Sequence, residues 1–231
     1  YIGFIPKDPL SEPKDSHRQL QYTVEHYTSI HRDEPINMVW HQVTSREANA
    51  AFDEDMANVT GVNVVSPTWF SIANNKGDIK SYTSKSYVQK AHDRGMEVWG
   101  LIDNFDDNVS TLKVLSSSSA RARMIKQLMT AAGNCGLDGI NVDFGSMTEE
   151  TILHFLEFLR ELSIECRSRG LVLSVDNPPP QNYTTYYNRR EQASVADYIV
   201  IMGYDEHYNG SQEPGSVASL PWVTEGIEDT L

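Results

Sequence analysis

Six short apolar runs, separated by longer amphipathic segments, are the feature that most constrains how this chain can fold. The runs cover residues 36–43, 62–70, 96–103, 139–144, 171–176 and 198–205. Their apolar residues are continuous rather than alternating, which is typical of strands covered on both faces in a parallel sheet. The sequence therefore predicts six parallel strands.

Helix patterns fill the spaces between these runs. In residues 148–170, apolar side chains recur at steps of three and four, and the acidic start at Glu149 and Glu150 favours a helix N-terminus. Residues 116–132 and 84–95 repeat the pattern, and a further helix is predicted at 224–231. Alternating strands and helices with right-handed crossovers leave two α/β architectures, an open doubly wound sheet or a (β/α)8 TIM barrel.

The number of strand–helix units bears on this choice, because a TIM barrel needs eight of them. This chain supplies about six. We expect residues 36–231 to form a (β/α)8 TIM barrel that is incomplete at its C-terminal end, with the open sheet as the alternative. Residues 1–35, rich in Pro, Ser and charge, are predicted to be a linker or the tail of a preceding domain, with a short helix at 18–26.

Charge and hydropathy narrow the class of partner. The formal net charge is −13 and the chain has no cluster of Lys and Arg, which argues against nucleic acid or an anionic membrane surface as a partner. No apolar run is long enough to span a bilayer, so no membrane insertion is expected. A neutral ligand is therefore the expected partner.

Aromatic, acidic and amide side chains follow most of the predicted strands. In a barrel the carboxyl ends of the strands carry the active site, so these side chains predict one polar cleft with aromatic walls. They include Trp40, Trp69, Asp103, Asn104, Asp143, Asp176, Tyr204, Asp205 and Glu206. The alternative for Asp103 and Asp176 is a helix N-cap, which is common for Asp after a strand. No His, Cys and carboxylate spacing suits a metal, and no cofactor fingerprint is present, so neither is expected.

The fourth run carries the most specific motif. Residues 138–145 read DGINVDFG, and the sixth run ends in Met202, Gly203, Tyr204 and Asp205. These stretches resemble glycoside hydrolase family 18, the chitinase-like barrels, whose fourth strand reads D-G-x-D-x-D-x-E and whose sixth strand ends in M-x-Y-D. The stretches MGYDEH and GSVASL resemble in particular the bacterial branch that acts on spore or cell-wall peptidoglycan. The resemblance covers about residues 36–231.

This resemblance implies a site for β-1,4-linked N-acetylglucosamine in peptidoglycan or chitin, and an extracellular, cell-envelope or spore-surface location. In such substrate-assisted enzymes the acetamido oxygen of the sugar attacks the anomeric carbon. Asp143 would orient the acetamido group, Tyr204 would bond its carbonyl, and Asp205 would support the pocket. Asn141 stands where the family has a carboxylate that shares a proton with its neighbour. Asp138 and Met202 complete the matched motifs, and Trp40, Trp69, Asp103, Asn104, Asp176 and Glu206 are the further substrate-binding candidates.

Gly145 stands where the family has the glutamic acid that donates the proton. A general acid contributes about 10² to 10⁴-fold to the rate, and glycine has no side chain to replace it. The first interpretation is a glycan-binding domain with little or no hydrolysis. The second is an active enzyme that uses Glu149, Glu150 or Glu206 instead. In the third, the barrel is only a scaffold and its site serves a non-sugar ligand or a protein partner. A glycine here also has a structural interpretation, since it permits a positive φ in a tight turn.

Overall fold

The computed structural model of this chain describes residues 28–231. In this part of the chain the strands are β1 (Met38–His41), β2 (Val64–Pro67), β3 (Phe70–Ile72), β4 (Ile79–Ser81), β5 (Glu97–Asp103), β6 (Gly139–Asp143), β7 (Val172–Asn177) and β8 (Tyr198–Ile201). All six predicted strands are therefore present. The helix predicted at 18–26 lies outside the described residues.

The order of the strands decides between the two architectures. Strands β1, β2, β5, β6, β7 and β8 are neighbours in that order, and every adjacent pair is parallel. A doubly wound sheet would reverse its strand order at a switch point, and this sheet does not. The structure is therefore a partial (β/α)8 barrel, which confirms the predicted fold class.

The helices are α1 (Phe52–Asp55), α2 (Lys85–Asp93), α3 (Thr111–Ser116), α4 (Ser118–Cys135), α5 (Glu149–Arg167), α6 (Arg189–Ala193) and α7 (Leu220–Glu228), with 3-10 turns at Glu47–Ala51 and Thr185–Tyr187. Hydroxyl groups cap the longer ones, as Ser84, Ser117, Thr148 and Ser219 each accept an N–H from the first turn. The predicted helices at 84–95, 116–132 and 148–170 are confirmed. The last helix begins earlier than predicted, because Ser219 caps it and Pro221 fits its first turn.

The run at 62–70, predicted as one strand, is divided in the structure. Strand β2 ends at Pro67, and β3 begins at Phe70 and forms an antiparallel hairpin with β4. The turn of the hairpin is closed by the side chain of Asn74, which accepts the N–H of Lys76 and donates to Asp78. Gly77 adopts a φ of +79°, and a Cβ there would lie 2.2 Å from the carbonyl oxygen of Ala120. The turn therefore needs glycine at this position.

The interior of the sheet is closed at the amino ends of its strands by an apolar layer. Val64, Trp99 and Val172 are buried together, with Ile30 and Tyr198 packed against them. Trp99 is therefore a core residue. Residues 28–35 form no helix or strand, and they contact this end of the sheet through hydrogen bonds from Ile30 N to Asp197 and from Arg32 to Glu97.

Aromatic packing joins the site-bearing strand to the helix that follows it. Phe144, directly after β6, stacks on Phe158 of α5 with ring centroids 5.7 Å apart and planes 2° apart, and Phe155 packs beside both. All three rings are buried. This cluster fixes the position at which the chain leaves β6.

We expect Phe158→Ala to lower the free energy of unfolding by about 3–5 kcal/mol, because it leaves a cavity behind β6. Urea denaturation measures the loss. The matched control is Leu153→Ala on the same helix, where the side chain is 67% exposed and the expected change is within about 0.5 kcal/mol. Equal losses in the two variants would contradict this account of the packing.

Candidate active site

Three carboxyl groups form a row across neighbouring strands at the carboxyl end of the sheet. Asp103 on β5 pairs with Asp143 on β6. On the other side of β6, Val142 pairs with Val175 of β7. The next residues along these two strands, Asp143 and Asp176, therefore lie side by side. Neighbouring strands lie about 4.8 Å apart. The acidic row of Asp103, Asp143 and Asp176 is therefore built by the sheet itself.

Asp176 is the most buried member of the row, with 2% of its surface exposed. Its Oδ2 accepts hydrogen bonds from Trp40 Nε1 at 3.2 Å and from Asn141 Nδ2 at 2.6 Å. Ser174 Oγ donates to Asn141 Oδ1 at 3.1 Å, which orients the amide of Asn141 with its NH₂ group toward Asp176. Asp176 Oδ1 has no hydrogen-bond partner among residues 28–231.

Burial shifts the acid–base properties of the row. It raises the pKa of Asp176 to about 8, with the charge of Asp143 adding to the effect. It raises the pKa of Asp143 to about 6, with the charge of Asp103 adding, and it also raises the pKa of Asp103. A charged carboxylate is disfavoured where water is excluded and a like charge is near. Asp176 therefore keeps its proton at neutral pH, whereas Asp143 loses its proton above about pH 6.

Two aromatic side chains border the row. Trp40 and Tyr204 meet edge to face, with ring centroids 6.3 Å apart, and each is more than a third exposed. Burial raises the pKa of Tyr204, and the charges of Asp143 and Asp176 raise it further. The hydroxyl of Tyr204 therefore stays protonated and faces the same carboxyl groups.

Gly145 follows the row on β6 and is held by one side chain. Asn104 accepts the N–H of Gly145 at 2.9 Å and donates to its carbonyl oxygen at 3.0 Å. The positive φ of this turn belongs to Ser146, at 52°, and not to Gly145. The structural interpretation of Gly145 as a residue needed for a positive φ is therefore wrong. A Cβ at Gly145 would contact only the ring of Phe105, at 3.2 Å.

None of the three glutamates that could replace the proton donor belongs to the acidic row. Glu206 accepts hydrogen bonds from the N–H and hydroxyl of Ser219, the N-cap of α7, and these bonds lower its pKa. Glu149 and Glu150 are exposed in the first turn of α5. A general acid needs a raised pKa, so Glu206 is poorly suited to this role.

The remaining residues of the sixth-strand motif follow β8 directly. Met202 is half-buried, and its N–H donates to the carbonyl oxygen of Asn177 at 2.9 Å. Asp205 is exposed and adopts a positive φ of 62°, and its charge contributes to the raised pKa of Tyr204. Tyr204 therefore lies near the acidic row, whereas Asp205 is exposed to solvent.

Two candidates from the sequence are not brought to this site. Asp138 precedes β6 and so lies at the opposite edge of the sheet, where its Oδ2 accepts hydrogen bonds from Val98 N and His92 Nε2, both at 2.8 Å. Trp69 is fully buried and donates to Asn49 Oδ1 at 2.9 Å, so it is a core residue rather than a wall of the cleft. In both cases the side chain is already occupied by structural contacts.

Ser174 and Phe105 belong to the site although the sequence did not single them out. Ser174 lies two residues before Asp176 and shares its face of β7, so the alternation of side chains along the strand was the signal for it. Phe105 follows Asn104 and is 60% exposed.

Tyr186 and Tyr187 hydrogen-bond to the backbone of Met147 and so anchor the loop after β6.

The described residues contain no group of three or more His, Cys, Asp or Glu side chains that could hold a metal ion. Within the same part of the chain, no helix is both long and apolar enough to cross a membrane.

Comparisons with known proteins agree with this geometry. Residues 40–227 match the family model of glycosyl hydrolases family 18. The chain is 25% identical over 181 residues to the uncharacterized glycosylase YvbX of Bacillus subtilis (strain 168), a match that covers 73% of this chain and 52% of the relative. The chain therefore spans about half the length of that relative.

Solved structures show the same fold. The C-terminal domain of a putative chitinase from Desulfitobacterium hafniense DCB-2 superposes with a TM-score of 0.72 at 22% identity, covering 84% of this chain and 62% of that one. The Bacillus cereus spore cortex-lytic enzyme SleL gives a TM-score of 0.72 at 20% identity, covering 84% and 46%.

The raised pKa values predict how stability depends on pH. The native state binds more protons than the unfolded state between about pH 4 and pH 8, because Asp143 and Asp176 lose their protons at higher pH when folded. The free energy of unfolding should therefore fall as the pH rises through this window. We expect Asp176→Asn to remove most of this fall, measured by urea denaturation at several pH values.

The control for this experiment is Asp78→Asn. Hydrogen bonds from Asn74 and Arg123 lower the pKa of Asp78, so it titrates below the window and its loss should leave the slope unchanged. Equal slopes for the parent and Asp176→Asn would contradict the electrostatic account of the row.

Proposed function

The chain belongs to glycosyl hydrolases family 18, and we propose that it binds N-acetylglucosamine-containing glycan with little or no hydrolysis. One observation carries the proposal. The recognition groups Asp143 and Tyr204 flank one cleft, while Gly145 stands at the position of the proton donor. A site with these groups and without the acid retains binding and loses the chemistry.

The proposed binding mode follows from the residues that border the acidic row. Asp143, ionised above its pKa of about 6, accepts the N–H of an acetamido group. The hydroxyl of Tyr204 donates to the acetamido carbonyl, and Trp40 and Tyr204 offer partly exposed rings to the sugar. A neutral sugar suits this cleft, because it brings no second charge to a site that already holds three carboxyl groups.

The absence of hydrolysis rests on what is left to donate a proton. The carboxylate of Glu206 accepts two hydrogen bonds from Ser219, and Glu149 and Glu150 are exposed on α5. An unactivated sugar is a poor leaving group, and loss of general acid catalysis costs about 10² to 10⁴-fold. We therefore propose binding, rather than a relocated acid, as the function of this site.

The proposed glycan is peptidoglycan or chitin, since both contain the same β-1,4-linked acetamido sugar. The relative SleL is a spore cortex-lytic enzyme, which favours peptidoglycan and an extracellular, cell-envelope or spore-surface location for this chain. We also propose the limits of the domain. Residues 1–35 form a linker or the tail of a preceding domain, and the barrel begins at residue 36.

We expect Asp143→Ala to weaken binding of N-acetylglucosamine oligomers by about tenfold or more, because an acceptor for the acetamido N–H is lost and one such hydrogen bond to a charged group contributes about 1.5–3 kcal/mol. Tyr204→Phe should weaken binding less, since it removes one neutral hydrogen bond. Isothermal titration calorimetry measures both. The control is Asp93→Asn, an exposed carboxylate at the end of α2, which should bind as the parent does. Unchanged binding in Asp143→Ala would show that the glycan binds elsewhere.

We expect Gly145→Glu to introduce hydrolysis of the same oligomers, because it places a carboxylic acid after Asp143 with the family's spacing. The backbone accepts a Cβ at this position, since φ is not positive and the one close neighbour of that atom is the exposed ring of Phe105. Product formation is followed by chromatography, with Gly145→Gln as the control of equal size without an acid. A parent that cleaves as fast as Gly145→Glu would refute the loss of the proton donor.

A further inference from the structure

The buried carboxyl of Asp176 has a role that the family motifs do not assign. Resting on the proposed glycan binding, we propose that Asp143 and Asp176 share one proton, carried on Asp176 Oδ1, and that this proton limits the pair to a single negative charge when glycan binds. Asp176 is then a positioning residue that acts through Asp143.

The hydrogen bonds around Asp176 decide which oxygen carries the proton. Oδ2 accepts from two N–H groups, those of Trp40 and Asn141, so it serves as an acceptor and not as a donor. The indole N–H of Trp40 can only donate, so Oδ2 has to accept from it. Oδ1 is buried and has no acceptor or donor within the described chain. A proton on this carboxyl group therefore sits on Oδ1.

The position of Asp143 explains why the proton stays there. The strand register brings Asp143 beside Asp176 on the interior face of the sheet. An ionised Oδ1 would be a buried charge without a hydrogen bond next to a second carboxylate, which is costly on both counts. A protonated Oδ1 removes the second charge, so the two groups titrate as a coupled pair.

Titratable groups from three other parts of the fold face this pair. Asp143 and Tyr204 face Asp176, and Asp103 faces Asp143 from β5. Tyr187 also responds to the charge of Asp143. Burial and the nearby charges raise the pKa of both tyrosines, so neither ionises between pH 5 and about pH 9. Lys80 is the cation that acts on this row, and it acts on Asp103.

Glycan binding should depend on the charge of the pair. Asp176 is already buried, so a neutral sugar that covers the cleft removes water from Asp143. A second charge on Asp176 then costs more, so the sugar binds the singly charged pair better than the doubly charged pair. Protonation of Asp143 at low pH removes the negative charge that strengthens its hydrogen bond to the acetamido N–H. We expect affinity to peak between about pH 6 and about pH 8, the values to which the two pKa values are raised.

The test begins without sugar, by measuring the pKa of the Asp176 carboxyl with ¹³C NMR. In the parent we expect a value of about 8, and in Asp143→Asn a lower value, because the neighbouring charge is gone. Asp93→Asn is the control and should leave the Asp176 titration unchanged. An Asp176 titration that is the same in Asp143→Asn and in the parent would overturn the shared proton.

The second measurement is the pH profile of binding to N-acetylglucosamine oligomers. The parent should lose affinity above about pH 8, by up to about tenfold per pH unit, and Asp176→Asn should keep its affinity there because its amide cannot ionise. An alkaline loss that persists in Asp176→Asn would overturn the role of Asp176 in binding. If the parent binds no oligomer at any pH, the proposed function fails, while the NMR titration still decides whether the proton is shared.

Discussion

The rest of the site depends on the burial of one carboxyl group, that of Asp176, between three strands. Its Oδ2 receives N–H groups from β1 and β6, so a single oxygen connects Trp40, Asn141 and β7 inside the barrel. The bond from Trp40 crosses the interior of the partial barrel from β1 to β7. Burying this group beside Asp143 costs stability at neutral pH. The apolar layers behind the strands, such as the stacked Phe144 and Phe158, offset that cost.

The fold could be predicted from the sequence because its signals are local. Each parallel strand is a continuous apolar run, and each long helix begins at a Ser or Thr cap. The hairpin of β3 and β4 was missed because its turn depends on the side chain of Asn74 and on the close approach of Gly77 to Ala120. Those contacts arise only when distant parts of the chain have packed.

The site was predicted in part, for the same reason. The motif spacing predicts Asp143 and Tyr204 at the carboxyl ends of β6 and β8, where the structure has them, whereas the row with Asp103 and Asp176 depends on strand register. Trp69 follows a strand but packs under α2 against Tyr87, and sequence position alone does not reveal that direction. Asp138 belongs to the same motif but precedes its strand. Its carboxylate accepts the backbone N–H of Val98 and so has a structural role.

In the proposed binding mode, recognition of the sugar and donation of a proton depend on different positions of the site. The backbone at Gly145 is held by Asn104 in a conformation that other residues can adopt, so the fold does not require glycine there. The groups that would recognise an acetamido sugar lie on β6 and after β8, and they are positioned by the sheet independently of residue 145. The proposed function follows from this separation, because binding depends on Asp143 and Tyr204 and proton donation on residue 145.

The most direct test of this account is a crystal structure of the protein with a tetramer of β-1,4-linked N-acetylglucosamine. The account predicts an uncleaved oligomer with one acetamido N–H bonded to Asp143, its carbonyl oxygen bonded to Tyr204, and no carboxyl group beside the glycosidic oxygen. An oligomer bound away from the acidic row, or a carboxyl of Glu149, Glu150 or Glu206 on the glycosidic oxygen, would contradict it.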